Sequence, residues 1–107
     1  MIPRILISEP NADVRALLEL TVQRLGYEAV RPQERTGRAD VDAILMEPAC
    51  SVGRSLLTRF GDDAPPVICF SIYPREAGLE PSASVAYLVK PASTTAIGDA
   101  LRTVFND

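Results

Sequence analysis

The chain contains no histidine, two cysteines and a single lysine. Because histidine is missing, the sequence excludes a Ser-His-Asp triad, a histidine-containing zinc site and a histidine phosphate carrier. The cysteines, Cys50 and Cys69, form no C-x-x-C pair and are too few for a disulfide framework. Glycine-rich phosphate loops of the G-x-G-x-x-G or Walker type are missing as well, which argues against nucleotide binding.

Charge and hydrophobic runs argue against two further classes of protein. No apolar run approaches the roughly 20 residues that a membrane span requires, and Met1–Arg4 lacks the layout of a signal peptide. Eleven basic against 14 acidic side chains give a net charge of −3, which argues against binding to the phosphates of nucleic acid. We therefore expect a cytoplasmic domain with no membrane contact and no nucleic-acid binding of its own.

What the sequence does contain is an alternation of short apolar runs with helical patterns. Its 107 residues, 47% of them apolar, suit one domain spanning residues 1–107. Three helical segments begin at a capping residue, and these are Asn11 to Gly26, Ser51 to Gly61, and Ser93 to Phe105. Five apolar runs predict strands, namely Ile5–Ser8, Tyr27–Arg31, Val41–Met46, Pro66–Ile72 and Val85–Val89.

This alternation predicts a doubly wound, five-stranded parallel sheet of the flavodoxin-like α/β class, with strand order 2-1-3-4-5. The second and fourth helices should be short, because Pro32–Asp40 and Arg75–Ser84 are rich in polar residues, proline and glycine. Covering both faces of the sheet should bury seven side chains, which are Leu17, Leu18, Val22, Ile44, Ile68, Val89 and Leu101.

Polar side chains stand at the carboxyl ends of four of these strands. Glu9 follows the first strand and Glu47 the third, Ser71 lies at the end of the fourth, and Lys90 follows the fifth. Ligands of open parallel sheets bind outside this edge. One such position carries little weight, because strands must surface into polar loops. Four matching positions predict a site at which these side chains meet.

The arrangement resembles the CheY-like receiver domain of bacterial response regulators, over essentially the whole chain. Ile5–Asn11 resembles the segment of the acidic pair, and Asp42–Glu47 the segment that ends in the phosphoacceptor aspartate. Ser71 resembles the switch hydroxyl, and Tyr87–Pro91 resembles the aromatic-x-x-Lys-Pro segment that contains Lys90. The resemblance implies a signalling domain of the two-component phosphorelay type.

Two departures from the receiver pattern bear on the chemistry that it implies. Pro10 stands where the second carboxylate of the acidic pair would hold Mg²⁺, and Glu47 stands where the phosphoacceptor aspartate belongs. Mg²⁺ requires near-octahedral oxygen ligands, whereas here one carboxylate is missing and those of Glu9 and Glu47 are one methylene longer. We therefore expect no catalytic residue, no bound metal and no other cofactor.

The departures favour an atypical receiver that acts independently of phosphorylation as a protein-interaction module. Its partner, or a second copy of itself, would bind the face formed by Tyr87 and Ser93–Phe105, here called the Tyr87 face. Two alternatives remain open, a working phosphoacceptor receiver and an unrelated flavodoxin-like cofactor-binding domain. For Glu47 and Lys90, two interpretations also remain. They form either a desolvated pair that mimics aspartyl phosphate and holds Ser71 and Tyr87 in one state, or two surface charges that neutralise each other.

Overall fold

Five strands and three α-helices alternate along the chain in the computed structural model, which describes residues 2–32, 37 and 40–105. The strands are β1 (Arg4–Ser8), β2 (Glu28–Val30), β3 (Ala43–Met46), β4 (Val67–Ser71) and β5 (Ser84–Val89). The α-helices are α1 (Ala12–Arg24), α2 (Ser51–Phe60) and α3 (Thr94–Phe105). The strands form one parallel sheet in the order β2-β1-β3-β4-β5, which confirms the predicted fold class.

The limits of α1 follow from its capping residues. The Asn11 side chain accepts hydrogen bonds from the backbone N–H groups of Asp13 and Val14, which satisfies two donors of the first turn. Beyond the last turn, Gly26 has a φ of 96°, a conformation in which residues with a Cβ are strained. Both caps agree with the prediction from the sequence.

The other two helices begin differently from each other. The hydroxyl of Ser93 accepts from the N–H of Ala96 at 3.0 Å, so Ser93 caps α3 as predicted. Ser51, in contrast, is the first helical residue of α2, and the N-cap is Cys50, whose side chain makes no capping hydrogen bond. The prediction of Ser51 as the cap is wrong because the N–H of Cys50 bonds to the carbonyl oxygen of Glu47 at 3.0 Å, which turns the chain one residue earlier.

Helices cover the sheet on both faces. The side chains of α1 and α3 pack with one set of strand residues, and those of α2 pack with the other set. Five of the predicted core residues are buried, namely Leu18, Val22, Ile44, Ile68 and Leu101. None of the helices in the described part of the chain has the length and apolar character of a membrane span.

Two predicted core residues lie at the surface, with Leu17 64% and Val89 48% exposed. One residue turns an α-helix by about 100°, so Leu17 projects away from the sheet when its neighbour Leu18 packs against it. Val89 lies on the edge strand β5, on the same side as Tyr87. The chain between β4 and β5 covers that side with only the 3-10 turn Arg75–Ala77. Both predictions of burial are therefore wrong.

The structure describes one of the two connections for which the sequence predicts a shortened helix. The connection from β4 to β5 contains the one turn Arg75–Ala77, which agrees with a shortened fourth helix. The predicted short second helix falls in Pro32–Asp40, most of which lies outside the described residues.

Adjacent leucines on α1 provide a matched test of the core. Leu18→Ala should lower the free energy of unfolding by about 2 to 5 kcal/mol, because the residue is 3% exposed and its truncation leaves a cavity. Leu17→Ala should change it by about 0.5 kcal/mol or less. Urea unfolding of the two variants measures both values, and equal losses would show that the orientation of α1 is wrong.

Candidate functional site

The register of the sheet places Glu9 next to Glu47. Ser8 at the end of β1 pairs with Met46 at the end of β3, and the backbone N–H of Glu47 donates to the carbonyl oxygen of Ser8 at 3.0 Å. Each glutamate is the first residue after its strand. The two chains therefore leave the sheet side by side, with one carboxylate on each.

The same geometry places Lys90 next to Ser71. Ser71 pairs with Val89 across β4 and β5, and the backbone N–H of Lys90 donates to the carbonyl oxygen of Ser71 at 2.7 Å. Because β4 lies between β3 and β5, these residues reach the same edge as Glu47. The structure thus brings together the four side chains that the sequence placed at strand ends.

Lys90 forms ion pairs with both glutamates. Its Nζ lies 2.5 Å from Glu9 Oε1 and 3.2 Å from Glu47 Oε2. The side chains of Glu9, Glu47 and Lys90 are 3%, 7% and 14% exposed, which does not fit the interpretation of two surface charges. Two carboxylates face one ammonium, so the group has one negative charge in excess when all three are ionised. We call Glu9, Glu47, Ser71 and Lys90 the carboxylate cluster.

The carboxylate oxygens have further donors. The Ser71 hydroxyl donates to Glu47 Oε1 at 2.7 Å, and the backbone N–H of Ala49 donates to the same atom at 3.1 Å. Glu9 Oε2 accepts from the backbone N–H of Asn11 at 3.1 Å. Such hydrogen bonds offset part of the cost of removing a charge from water. The carboxylates are therefore held in place by neutral donors as well as by Lys90.

A groove of about 360 Å³ lies over the carboxylate cluster, with Pro10, Ile72 and Tyr73 in its wall. Pro10 brings no side-chain oxygen, and both carboxylates already bind Lys90. Among the described residues, no group of three or more His, Cys, Asp or Glu side chains is arranged to hold a metal ion. Mg²⁺ takes near-octahedral oxygen ligands, so this donor set does not fit the magnesium site that the resemblance implies.

Hydrogen bonds connect the carboxylate cluster to Tyr87. The Ser71 Oγ that donates to Glu47 also accepts from the backbone N–H of Tyr73 at 3.1 Å. The carbonyl oxygen of Tyr73 accepts from the Tyr87 hydroxyl at 2.7 Å. Neither Tyr73 nor Ala49 was singled out from the sequence, because both take part through backbone atoms that every residue type has.

An ion pair stabilises the segment next to Tyr87. Arg75 makes two hydrogen bonds to Glu80, at 2.7 and 2.8 Å, and its guanidinium lies 5.8 Å from the centre of the Tyr87 ring. The hydrogen bond from Arg75, followed by that from the Ser84 hydroxyl, lowers the pKa of Glu80 to about 2. The ion pair thus replaces, in part, the helix that the connection from β4 to β5 lacks.

Comparisons with known proteins bear on the fold. No family model and no curated protein sequence matches the chain. Among solved structures, the receiver domain of a sensor histidine kinase from Pseudomonas aeruginosa, with a magnesium ion coordinated in its active-site cleft, has a TM-score of 0.76 at 21% identity, with 100% of both chains covered. The chain has the receiver fold.

Two further solved structures support this assignment. Chemotaxis protein CheY4 from Vibrio cholerae matches with a TM-score of 0.74 at 14% identity, over 98% of this chain and 100% of the other. Response regulator TrrA from Thermotoga maritima, in complex with Mg²⁺ and BeF, matches with a TM-score of 0.72 at 18% identity, over 97% and 100%. The receiver fold places the carboxylate cluster at the edge where such sheets bind ligands.

The carboxylate cluster has two carboxylates and one ammonium, so losing the ammonium should destabilise the protein more than losing one carboxylate charge. Lys90→Met leaves two buried carboxylates without a cation and should lower the free energy of unfolding by about 3 to 5 kcal/mol. Glu9→Gln leaves one carboxylate and one ammonium and should cost clearly less. Urea unfolding at pH 7 measures both losses, and a larger loss in Glu9→Gln would contradict the charge count.

The lowered pKa of Glu80 predicts an acid-dependent contribution to stability. The pKa of Glu80 is lowered to about 2 in the folded protein, from a reference value of 4.5. Its ion pair with Arg75 therefore contributes fully above about pH 4.5 and is lost as the pH falls toward 2. Glu80→Gln should show a shallower decline of the urea midpoint over this interval than the unchanged protein. Glu76→Gln, at an exposed position of the same segment, is the control, and a decline equally shallow in both variants would contradict the assignment.

Proposed function

We propose that this domain is an atypical receiver, which acts through protein contacts and does not pass through an aspartyl-phosphate state. The observation that carries the proposal is the set of donors around the Glu47 carboxylate. An ammonium, a hydroxyl and a backbone N–H from Lys90, Ser71 and Ala49 all bind it. A fixed negative charge thus stands at the strand end where the receiver resemblance expects a phosphoryl group.

The position of Lys90 also supports an activity independent of metal. Its ammonium is within hydrogen-bond distance of Glu9 and Glu47 at the same time, which is the neutralising role that a divalent cation would have between two carboxylates. The Pseudomonas aeruginosa receiver domain contains a magnesium ion in its active-site cleft. In the present chain we infer that the ammonium takes the place of that cation.

The surface next to Tyr87 has the chemistry of an interaction face. Val85 and Val89 on the edge strand are 52% and 48% exposed, and Ile72 and Tyr73, which follow the neighbouring strand β4, are 65% and 46% exposed. Exposed apolar side chains that are contiguous mark sites of protein association. The hydrogen bonds from Glu47 through Ser71 and Tyr73 reach this surface, so the Tyr87 face is the proposed output of the domain.

The two alternative functions have different support. A working phosphoacceptor receiver would need Glu47 to leave its donors and accept a phosphoryl group, with metal-assisted charge neutralisation. The flavodoxin-like cofactor-binding alternative is disfavoured, because the structural neighbours described above are receiver and chemotaxis proteins. The proposal is therefore tested first against phosphorylation.

Incubation with acetyl phosphate and Mg²⁺, followed by intact-mass measurement, should show no added phosphate. The physical reason is that Glu47 is already bound by Lys90 and Ser71 and that Pro10 supplies no ligand for the metal. A stable mass increase of one phosphate that is abolished by Glu47→Gln would overturn the proposal. A receiver domain with an intact acidic pair and aspartate, treated in parallel, shows that the phosphodonor is active.

Removal of the charge at Glu47 tests its connection to the Tyr87 face. Glu47→Gln keeps an oxygen for Ser71 but loses the attraction to Lys90, so the amide NMR resonances of Tyr73 and Tyr87 should shift and self-association should change. Asp62→Asn makes the same change of charge at an exposed position of the turn Gly61–Asp63, which precedes β4 at the other end of that strand, and should leave both unchanged. Equal effects of the two variants, with both folded, would mean that Glu47 has no special link to this surface.

A further inference from the structure

A second cavity lies at the carboxyl ends of β1 and β2 and is distinct from the groove over the carboxylate cluster. Its volume is about 370 Å³, and its wall includes Arg15 of α1, Arg31 after β2 and Val52 of α2. This volume is at the lower end of the range for small-molecule sites, about 300 to 1,000 Å³. The two spaces share Glu9, Pro10 and Cys50 in their walls, so they are adjacent.

Two arginines line the cavity, Arg15 and Arg31. Arg31 donates to both carboxylate oxygens of Glu19, at 2.8 and 3.0 Å. Arg15 makes one long hydrogen bond, 3.4 Å from its Nη1 to the carbonyl oxygen of Glu9. Its Nε is buried without a hydrogen-bond partner in the described part of the chain. Arg31 is thus paired with Glu19, Glu9 shares the ammonium of Lys90 with Glu47, and Arg15 is the guanidinium of the wall that lacks a close carboxylate partner among the described residues.

Two neutral groups add donors for an anion. Ser8 is 3% exposed and lines the cavity, so its hydroxyl can donate to an anion bound there. The 10-residue helix α2 also begins here, with Cys50 and Val52 in the wall and no side chain capping its first turn. Such a helix start favours anions.

We propose that this cavity binds a small phosphomonoester. Its donors come from four elements of the chain, namely the guanidiniums of Arg15 on α1 and Arg31 after β2, the hydroxyl of Ser8 on β1 and the start of α2. The three terminal oxygens of a phosphate ester can accept from all of them, whereas a carboxylate has two oxygens in one plane. Guanidinium groups match phosphate in geometry as well as in charge. Ile7, Pro10 and Val52 provide apolar contacts for the organic part of the ester.

Calorimetric titration with three probes at constant ionic strength tests the proposal. Phenyl phosphate should bind at least several-fold more tightly than inorganic phosphate, because it also fills the apolar side, and more tightly than benzoate. Arg15→Gln should weaken phenyl phosphate about tenfold or more, the usual effect of losing a charged hydrogen bond. Arg24→Gln changes the same charge at an exposed position of α1 and should leave the affinity within about twofold.

Ser8→Ala separates a binding role from a structural one. Removal of this one hydroxyl should leave the urea midpoint nearly unchanged and should weaken the binding of phenyl phosphate several-fold. Four results would overturn the proposal. These are no heat of binding with phenyl phosphate, equal losses in Arg15→Gln and Arg24→Gln, an unchanged affinity in Ser8→Ala, and benzoate or inorganic phosphate binding as tightly as phenyl phosphate. Intact mass after each titration shows that no covalent phosphate has formed, which keeps the result separate from the proposed function.

Discussion

The carboxyl edge of the sheet depends on the two ion pairs that Lys90 makes with Glu9 and Glu47. Two glutamates that leave adjacent strands carry like charges in a place from which water is largely excluded. Without a cation between them, this arrangement would be strongly unfavourable. One ammonium on a flexible stem can reach both carboxylates, whereas the planar fork of Arg suits a single carboxylate better. The cluster therefore ties β1, β3 and β5 together at the point where the sheet ends.

A series of hydrogen bonds connects this contact to the backbone that follows β4. Ser71 is bound to Glu47 on one side and to the N–H of Tyr73 on the other, and Tyr73 in turn accepts from Tyr87. The segment has no helix to hold it, apart from the turn Arg75–Ala77. Its position thus depends on a few polar contacts rather than on a packed apolar face. Hydrogen bonds are directional, so a change of charge at Glu47 should alter the contacts of Ser71 and Tyr73 and, through them, the position of Tyr87.

The sequence predicted the strand-end residues well for a geometric reason. In a parallel sheet, every strand end appears at the same edge, so Glu9, Glu47, Ser71 and Lys90 could be placed together from the order of elements alone. The predictions that failed needed tertiary knowledge. Leu17 is as hydrophobic as Leu18, and only the packing of α1 on the sheet distinguishes them. Val89 is exposed because the connection from β4 to β5, which would cover this side of the edge strand, contains only the turn Arg75–Ala77.

Glu9 is the residue in which the two sides of this edge meet. Its side-chain carboxylate binds Lys90, and its backbone carbonyl oxygen accepts from Arg15, so one residue contacts both the carboxylate cluster and the arginine-lined cavity. The carboxylate cluster has two carboxylates and one ammonium, and the neighbouring cavity has the guanidiniums of Arg15 and Arg31 in its wall. Attraction between these opposite charges stabilises the edge. Because Glu9 takes part in both contacts, a change of charge on one side of this residue also alters the potential on the other side.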